Sequence, residues 1–118
     1  MKACIRSIQN QKMKEIEIIM IEDQSLDTSL TIEKNLQAED PRINLIVNEK
    51  RRGGCYNRII GVEQAKAKYI LFIDSDDLFI REDLFDRIYN EAEEGNYDIV
   101  AFNGFRSKYY DFRRGSIR

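Results

Sequence analysis

With 118 residues and a formal net charge of −2, the chain is one domain or part of one, and no global field draws it to nucleic acid or an anionic membrane. Histidine is absent, which removes histidine-based triads and histidine metal sites, while two cysteines, Cys4 and Cys55, are too few and too unpatterned for a disulfide framework or a zinc site. The 42% hydrophobic and 34% charged composition, with no apolar run of transmembrane length and no signal-peptide opening, points to a soluble α/β domain with reduced thiols, cytoplasmic or peripheral to a membrane.

In chain order, Ile5 and Ile8 lie three apart among polar residues and predict a helix within residues 1–11, the end of an element that began earlier. Residues 16–21 (IEIIMI) are β-branched and nearly all apolar, and predict a buried strand that ends in the polar Glu22-Asp23-Gln24-Ser25. Asp27 or Thr28 can cap a helix over 28–38, and Pro41 closes the connection to a short strand, INLIV, at 43–47. Gly53-Gly54 forms a turn before a helix over 55–66. A strand at 69–73, an amphipathic helix over 82–93 ended by Gly95-Asn96, and a strand DIVAF at 98–102 follow. The basic and aromatic tail, 107–118, takes no assignment; a frayed terminus is favoured over an anion-binding surface built from Tyr109, Tyr110, Phe112, Arg113 and Arg114.

The most informative stretch is YILFIDSDD, residues 69–77, where five apolar or aromatic residues run into Asp74, Asp76 and Asp77. Such a run fits a strand buried on both faces of a parallel sheet, and acids at its end fall where open α/β sheets bind ligands. Three adjacent carboxylates repel one another unless donors or a cation neutralise them, and the simplest neutraliser is Mg²⁺ or Mn²⁺ with hard oxygen ligands. The plainer alternative is a solvated acidic turn before the next helix. An EF-hand is excluded, because Phe79 would stand at its glycine and Phe85 at its bidentate glutamate. Strands alternating with helices imply parallel pairing by right-handed crossovers, so the acids at 22–23 and 74–77 are expected on one edge of the sheet.

The stretch EIIMIEDQSLDTS resembles the strand and acidic turn of family 2 glycosyltransferases of GT-A fold. INLIVNEKRRGGCYNRIIGVEQAKAKYILFIDSDD resembles that family's next block, with Gly53, Arg58, Gly61, Ala65, Asp74, Asp76 and Asp77 at its spacings. The N-terminal helix with Cys4, Ser7, Ile8 and Gln11 and the segment NYDIVAFNGF extend the likeness over residues 1–106. The resemblance implies a partial Rossmann-like, three-layer αβα domain with a mostly parallel sheet. It also implies nucleotide-sugar donor binding, a UDP-sugar by preference, in an inverting, metal-dependent transfer. Carried over by position, Asp23 would accept the uracil N–H, with Glu22 and Ser25 beside it, and Arg58 would lie beneath the diphosphate. Asp74 and Ser75 would face the ribose or donor sugar, Asp76 with Asp74 would hold Mn²⁺ or Mg²⁺, and Asp77 would support the turn.

Departures accompany the likeness. Glu22 replaces an Asp, Asn57 an Ala and Ile59 an Asn, and Gln24 replaces a Gly, which puts a Cβ where the backbone needs a positive φ. The family's opening strand has no counterpart, so unpaired sheet edges are expected. The family's catalytic base would lie in the acceptor half beyond this chain; nothing from Lys108 to Arg118 matches it, and Asp111 has no motif around it. The expectation is a donor-binding fragment whose acceptor (glycan, lipid or protein) is unspecified, with a catalytically inactive remnant in a binding or structural role as the alternative. A receiver domain phosphorylated on Asp74, with Glu22-Asp23 around Mg²⁺, lacks its lysine, since DIVAF is followed by Asn-Gly-Phe-Arg. A D-x-D-x-T phosphatase fails at Leu78.

Overall fold

The structure is a computed structural model that describes residues 1–26, 28–104, 110–111 and 116–117. Its elements are α1 (Lys2–Gln9), β1 (Ile18–Glu22), α2 (Ser29–Glu39), β2 (Ile43–Val47), α3 (Gly54–Gln64), α4 (Leu84–Gly95), β3 (Tyr110–Asp111) and β4 (Ser116–Ile117). Two compact units form, one from Glu15–Phe72 and one from Met1–Lys14 with the residues from Ile73 onward.

In the first unit β1 and β2 pair in parallel, Ile18 opposite Ile43 and Glu22 opposite Val47, as the βαβ pattern predicts. Side chains alternate along β1, burying Ile18, Met20 and Glu22 on one side and leaving Ile19 and Ile21 half-buried on the other. Helix α2 packs on both strands and sinks Leu36 to 2% exposure, while α3 packs on β1. Gly61 faces Ile21 in that contact, where a Cβ would stand at an ordinary packing distance of 3.8 Å from Ile21 Cδ1. Thr28 occupies the N-cap position of α2 but makes no capping bond through its side chain. Asp27, the other candidate cap, lies outside the described residues.

In the second unit α1 buries Cys4, Ile5 and Ile8, the stripe read from its sequence. Polar groups of α1 and of the residues just after it fasten the chain that follows Asp77. Gln11, 1% exposed, donates Nε2 to the carbonyls of Ser7 and Arg81 at 3.3 and 2.6 Å and accepts the Phe85 N–H at 3.1 Å. Ser7 Oγ accepts the Phe79 N–H at 3.0 Å, and Asp86 Oδ2 accepts the Met13 N–H at 3.1 Å. Phe79 and Phe85 meet edge to face with centroids 5.1 Å apart. Helix α4 ends as its Gly95-Asn96 signature predicts: Asn96 turns left-handed at φ 50° and the Tyr97 N–H returns to the Ala92 carbonyl at 2.9 Å.

Two expected strands do not form. Residues 69–73 and 98–102 form no strand and have no ladder partner among the described residues. Their apolar runs register burial within a sheet, but a strand exists only where a neighbour takes its N–H and C=O groups. Ile70, Leu71 and Phe72 accordingly remain 45%, 39% and 50% exposed, and Ile99 86%. In the unassigned tail, β3 and β4 pair antiparallel, Tyr110 opposite Ile117; Lys108, Tyr109, Phe112, Arg113, Arg114 and Arg118 lie outside the described residues.

Candidate functional site

The first cluster stands at the C-terminal end of β1. Glu22 does not reach outward. Only 3% exposed, its carboxylate bends back to accept the N–H of Gln24 at 2.6 Å and of Ser25 at 2.7 Å, closing the turn that follows the strand. Gln24 adopts φ 60° in that turn, the conformation for which the resemblance expects glycine, and its side-chain amide donates to the Asn48 carbonyl.

Asp23 points instead at the loop between β2 and α3. Its Oδ1 accepts Asn48 Nδ2 at 2.8 Å and the Arg52 N–H at 2.7 Å, and its Oδ2 accepts the Gly53 N–H at 2.7 Å. Asn48 Nδ2 also donates to Asn57 Oδ1 at 2.8 Å. Gly53, at φ 86°, is the N-cap residue of α3, so the glycine is required by the backbone that Asp23 fixes. The Asn48 bond does most to favour the ionised carboxylate and lower its pKa to about 2; desolvation, the next largest influence, opposes it, and the Arg52 and Gly53 amides and the nearby Asn57 side chain each lower it by less. Arg58 follows on the first turns of α3, exposed, and the Arg52 guanidinium stands 5.1 Å over the Tyr56 ring. The structure thus gathers Glu22, Asp23 and Ser25 at one strand end and joins that end to the start of the helix carrying Arg58. Asn48, Asn57 and Gly53 are its unforeseen partners; Asn57 drew notice only as a departure, and no periodicity signals such a contact.

The second cluster is the turn Asp74–Asp77. The Asp77 N–H donates to the Asp74 carbonyl at 3.0 Å, which puts Ser75 and Asp76 at the tip of a β-turn with all four residues exposed. Cys4 Sγ approaches the Asp74 carbonyl at 3.6 Å, a weak contact that ties the turn to α1. Burial pushes the Cys4 thiol up; the amino terminus opposes this, and the carboxylates of Asp77, Asp76 and Asp74 add to it. No three acidic or thiol groups among the described residues converge on one point to hold a metal. Carboxylate oxygens on an exposed turn are hard donors of the kind that could supply one or two ligands to a hard cation.

The chain matches the sequence profile of Glycosyl transferase family 2 over residues 1–117. It is 30% identical over 109 residues to glycosyltransferase GlyG of Streptococcus pneumoniae, an alignment covering 92% of this chain and 34% of that protein. With an uncharacterized glycosyltransferase of Haemophilus influenzae it shares 40% identity over 111 residues, 88% of this chain and 44% of the relative. With the GalNAc(5)-diNAcBac-PP-undecaprenol beta-1,3-glucosyltransferase of Campylobacter jejuni it shares 37% over 78 residues, 65% of this chain and 25% of the relative. The chain belongs to glycosyl transferase family 2, whose domain is a Rossmann-like α/β fold of GT-A type, and it spans less than half the length of these relatives. Among the described residues no helix is long and apolar enough to cross a membrane.

Proposed function

We propose that this chain is the donor-binding portion of an inverting family 2 glycosyltransferase that takes a UDP-sugar. The observation that carries the reading is the Asp23 carboxylate, held ionised at the end of β1 by a side chain and two backbone amides. Three donors occupy a group with about four acceptor sites, which leaves capacity for the imide N–H of a uracil. Ser25, in the turn that Glu22 closes, lies beside it, and Arg58 supplies positive charge toward the diphosphate.

Asp76 and Asp74 would hold Mg²⁺ or Mn²⁺, and Ser75 would face the donor sugar. Such an ion, when bound, neutralises charge that grows on the departing nucleoside diphosphate. The chain's own residues do the remaining work on the donor: Asp23 selects and orients the base, and the turn at 74–77 orients the sugar-diphosphate end. Deprotonation of the acceptor hydroxyl falls to a base outside residues 1–118. The acceptor is not specified by any residue of this portion. Both thiols are free, which suits a cytoplasmic, reducing compartment.

The test is calorimetric titration of UDP into the purified chain with and without Mn²⁺, repeated on Asp76→Asn. Metal-dependent binding that the substitution abolishes is the expected result. A chain that is folded by circular dichroism yet binds no UDP would overturn the donor reading in favour of a remnant with a binding or structural role.

A further inference from the structure

Four hydrogen bonds close a ring at the end of β1. Asp23 Oδ2 accepts the Gly53 N–H at 2.7 Å, and the Gly53 carbonyl accepts the Asn57 N–H at 3.1 Å, the first helical bond of α3. Asn57 Oδ1 accepts Asn48 Nδ2 at 2.8 Å, and the same Nδ2 donates to Asp23 Oδ1 at 2.8 Å. We propose that Asn57 is a positioning residue of the donor site, fixing the Asn48 amide that presents the Asp23 carboxylate to the nucleotide's base. The inference rests on the donor reading given above.

The chemistry of the amide explains why the third member matters. A carboxamide can rotate by half a turn and exchange its oxygen for its nitrogen at little cost when nothing distinguishes them. Asn48 sits between two acceptor oxygens, Asp23 Oδ1 and Asn57 Oδ1. Its NH₂ has one N–H for each, and rotation would set its own oxygen against both. With Asn57 truncated, one of the two N–H groups loses its acceptor and Asn48 is held at one point instead of two. The backbone of Asn48 is independently fixed, since its N–H donates to the Glu22 carbonyl at 2.9 Å and its carbonyl takes the Gln24 side chain. The freedom that Asn57 removes is therefore that of the Asn48 side chain, and Asp23 feels it directly.

Asn57→Ala separates this role from a merely structural one, because alanine is the better helix former and α3 loses no backbone bond by the change. Two readouts are taken together. Carboxyl-carbon NMR follows the titration of Asp23 in the free chain, read on the folded form in the cold. Calorimetry follows UDP binding in the presence of Mn²⁺. The expected result is an Asp23 midpoint raised above its value of about 2, UDP affinity reduced about three- to ten-fold, and a melting temperature equal to or above that of the wild type. An unchanged midpoint overturns the positioning role even if the melting temperature falls, and a raised midpoint with unchanged UDP affinity overturns its bearing on the donor. If the wild type binds no UDP, the donor reading fails and the base-presenting role with it, while the Asp23 midpoint still decides whether Asn57 holds the carboxylate.

Discussion

Glu22 accepts the backbone N–H of Gln24 at 2.6 Å, and Gln24 stands at φ 60°: a buried carboxylate holds a left-handed residue that carries a side chain. An L residue in this region is strained by about 1 to 3 kcal/mol, and it persists only where its surroundings over-determine it. Glycine relieves that strain but restores chain entropy to the unfolded state and forfeits the side-chain bond to Asn48, so Gln24→Gly should lie within about 0.5 kcal/mol of the wild type. A β-branched residue has no such escape. Gln24→Ile should cost about 2 kcal/mol, and the difference between the two urea midpoints checks the assignment.

The same carboxylate gives a second expectation. Glu22→Ala leaves the amides of Gln24 and Ser25 without their acceptor in a site where Glu22 is 3% exposed. The loss should be about 2 to 3 kcal/mol by equilibrium unfolding. Glu22→Gln keeps one acceptor oxygen and should lose roughly half as much. Equal losses in the two variants would mean that the turn amides find water instead.

Asp23 carries the pH dependence. Its folded pKa is lowered to about 2, so its contribution is fully present above the ordinary aspartate range and is lost as pH falls through about 2. The sign follows from proton uptake: between about pH 4 and 2 the unfolded chain binds the proton that the folded chain refuses, and stability falls with falling pH. Asp23→Asn removes this titration. Its stability-against-pH curve should therefore be flatter than the wild type's across that window, with the two converging at the acid end. Parallel curves would show that Asp23 does not hold the loop before α3 through its charge.

How much of this was legible before the structure depends on whether a feature is local. Apolar periodicity placed α1, β1, α2, β2, α3 and α4 within a few residues, because each is specified by its own side chains and the turn residues that bound it. The same rule failed at 69–73 and 98–102. Their apolar content is real, but pairing is a property of two segments, and the sequence of one segment does not name its neighbour. Asp23 was legible as an acid ending a strand, and Asp74–Asp77 as an acidic turn. The ring through Asn48, Gly53 and Asn57 was not, since it joins positions 25 and 30 residues apart from Asp23 through short polar side chains and amides that look like any loop. Glu22 drew notice only as the replacement of an Asp and as a neighbour of Asp23. The sequence could not show that the extra methylene lets the carboxylate fold back onto its own turn.

Gln11 gives the largest expected effect on stability. It is a polar residue at 1% exposure whose donor and acceptor functions are both used: Nε2 on the Ser7 and Arg81 carbonyls, Oε1 on the Phe85 N–H. Gln11→Leu has similar bulk, so no cavity forms, but it leaves the Arg81 carbonyl and the Phe85 amide without these partners. Burying unsatisfied backbone groups costs about 1 to 3 kcal/mol each, and the expected loss is about 3 kcal/mol or more. Gln11→Glu keeps the acceptor for Phe85 but turns the donor into a second acceptor facing the Arg81 carbonyl, so it should recover little of that loss. Thermal unfolding of both variants, followed by circular dichroism, checks the order. If Gln11→Leu unfolds at the wild-type temperature, water takes the place of the amide, and the apolar stripe of Cys4, Ile5 and Ile8 with the Ser7–Phe79 bond suffices to fasten α1.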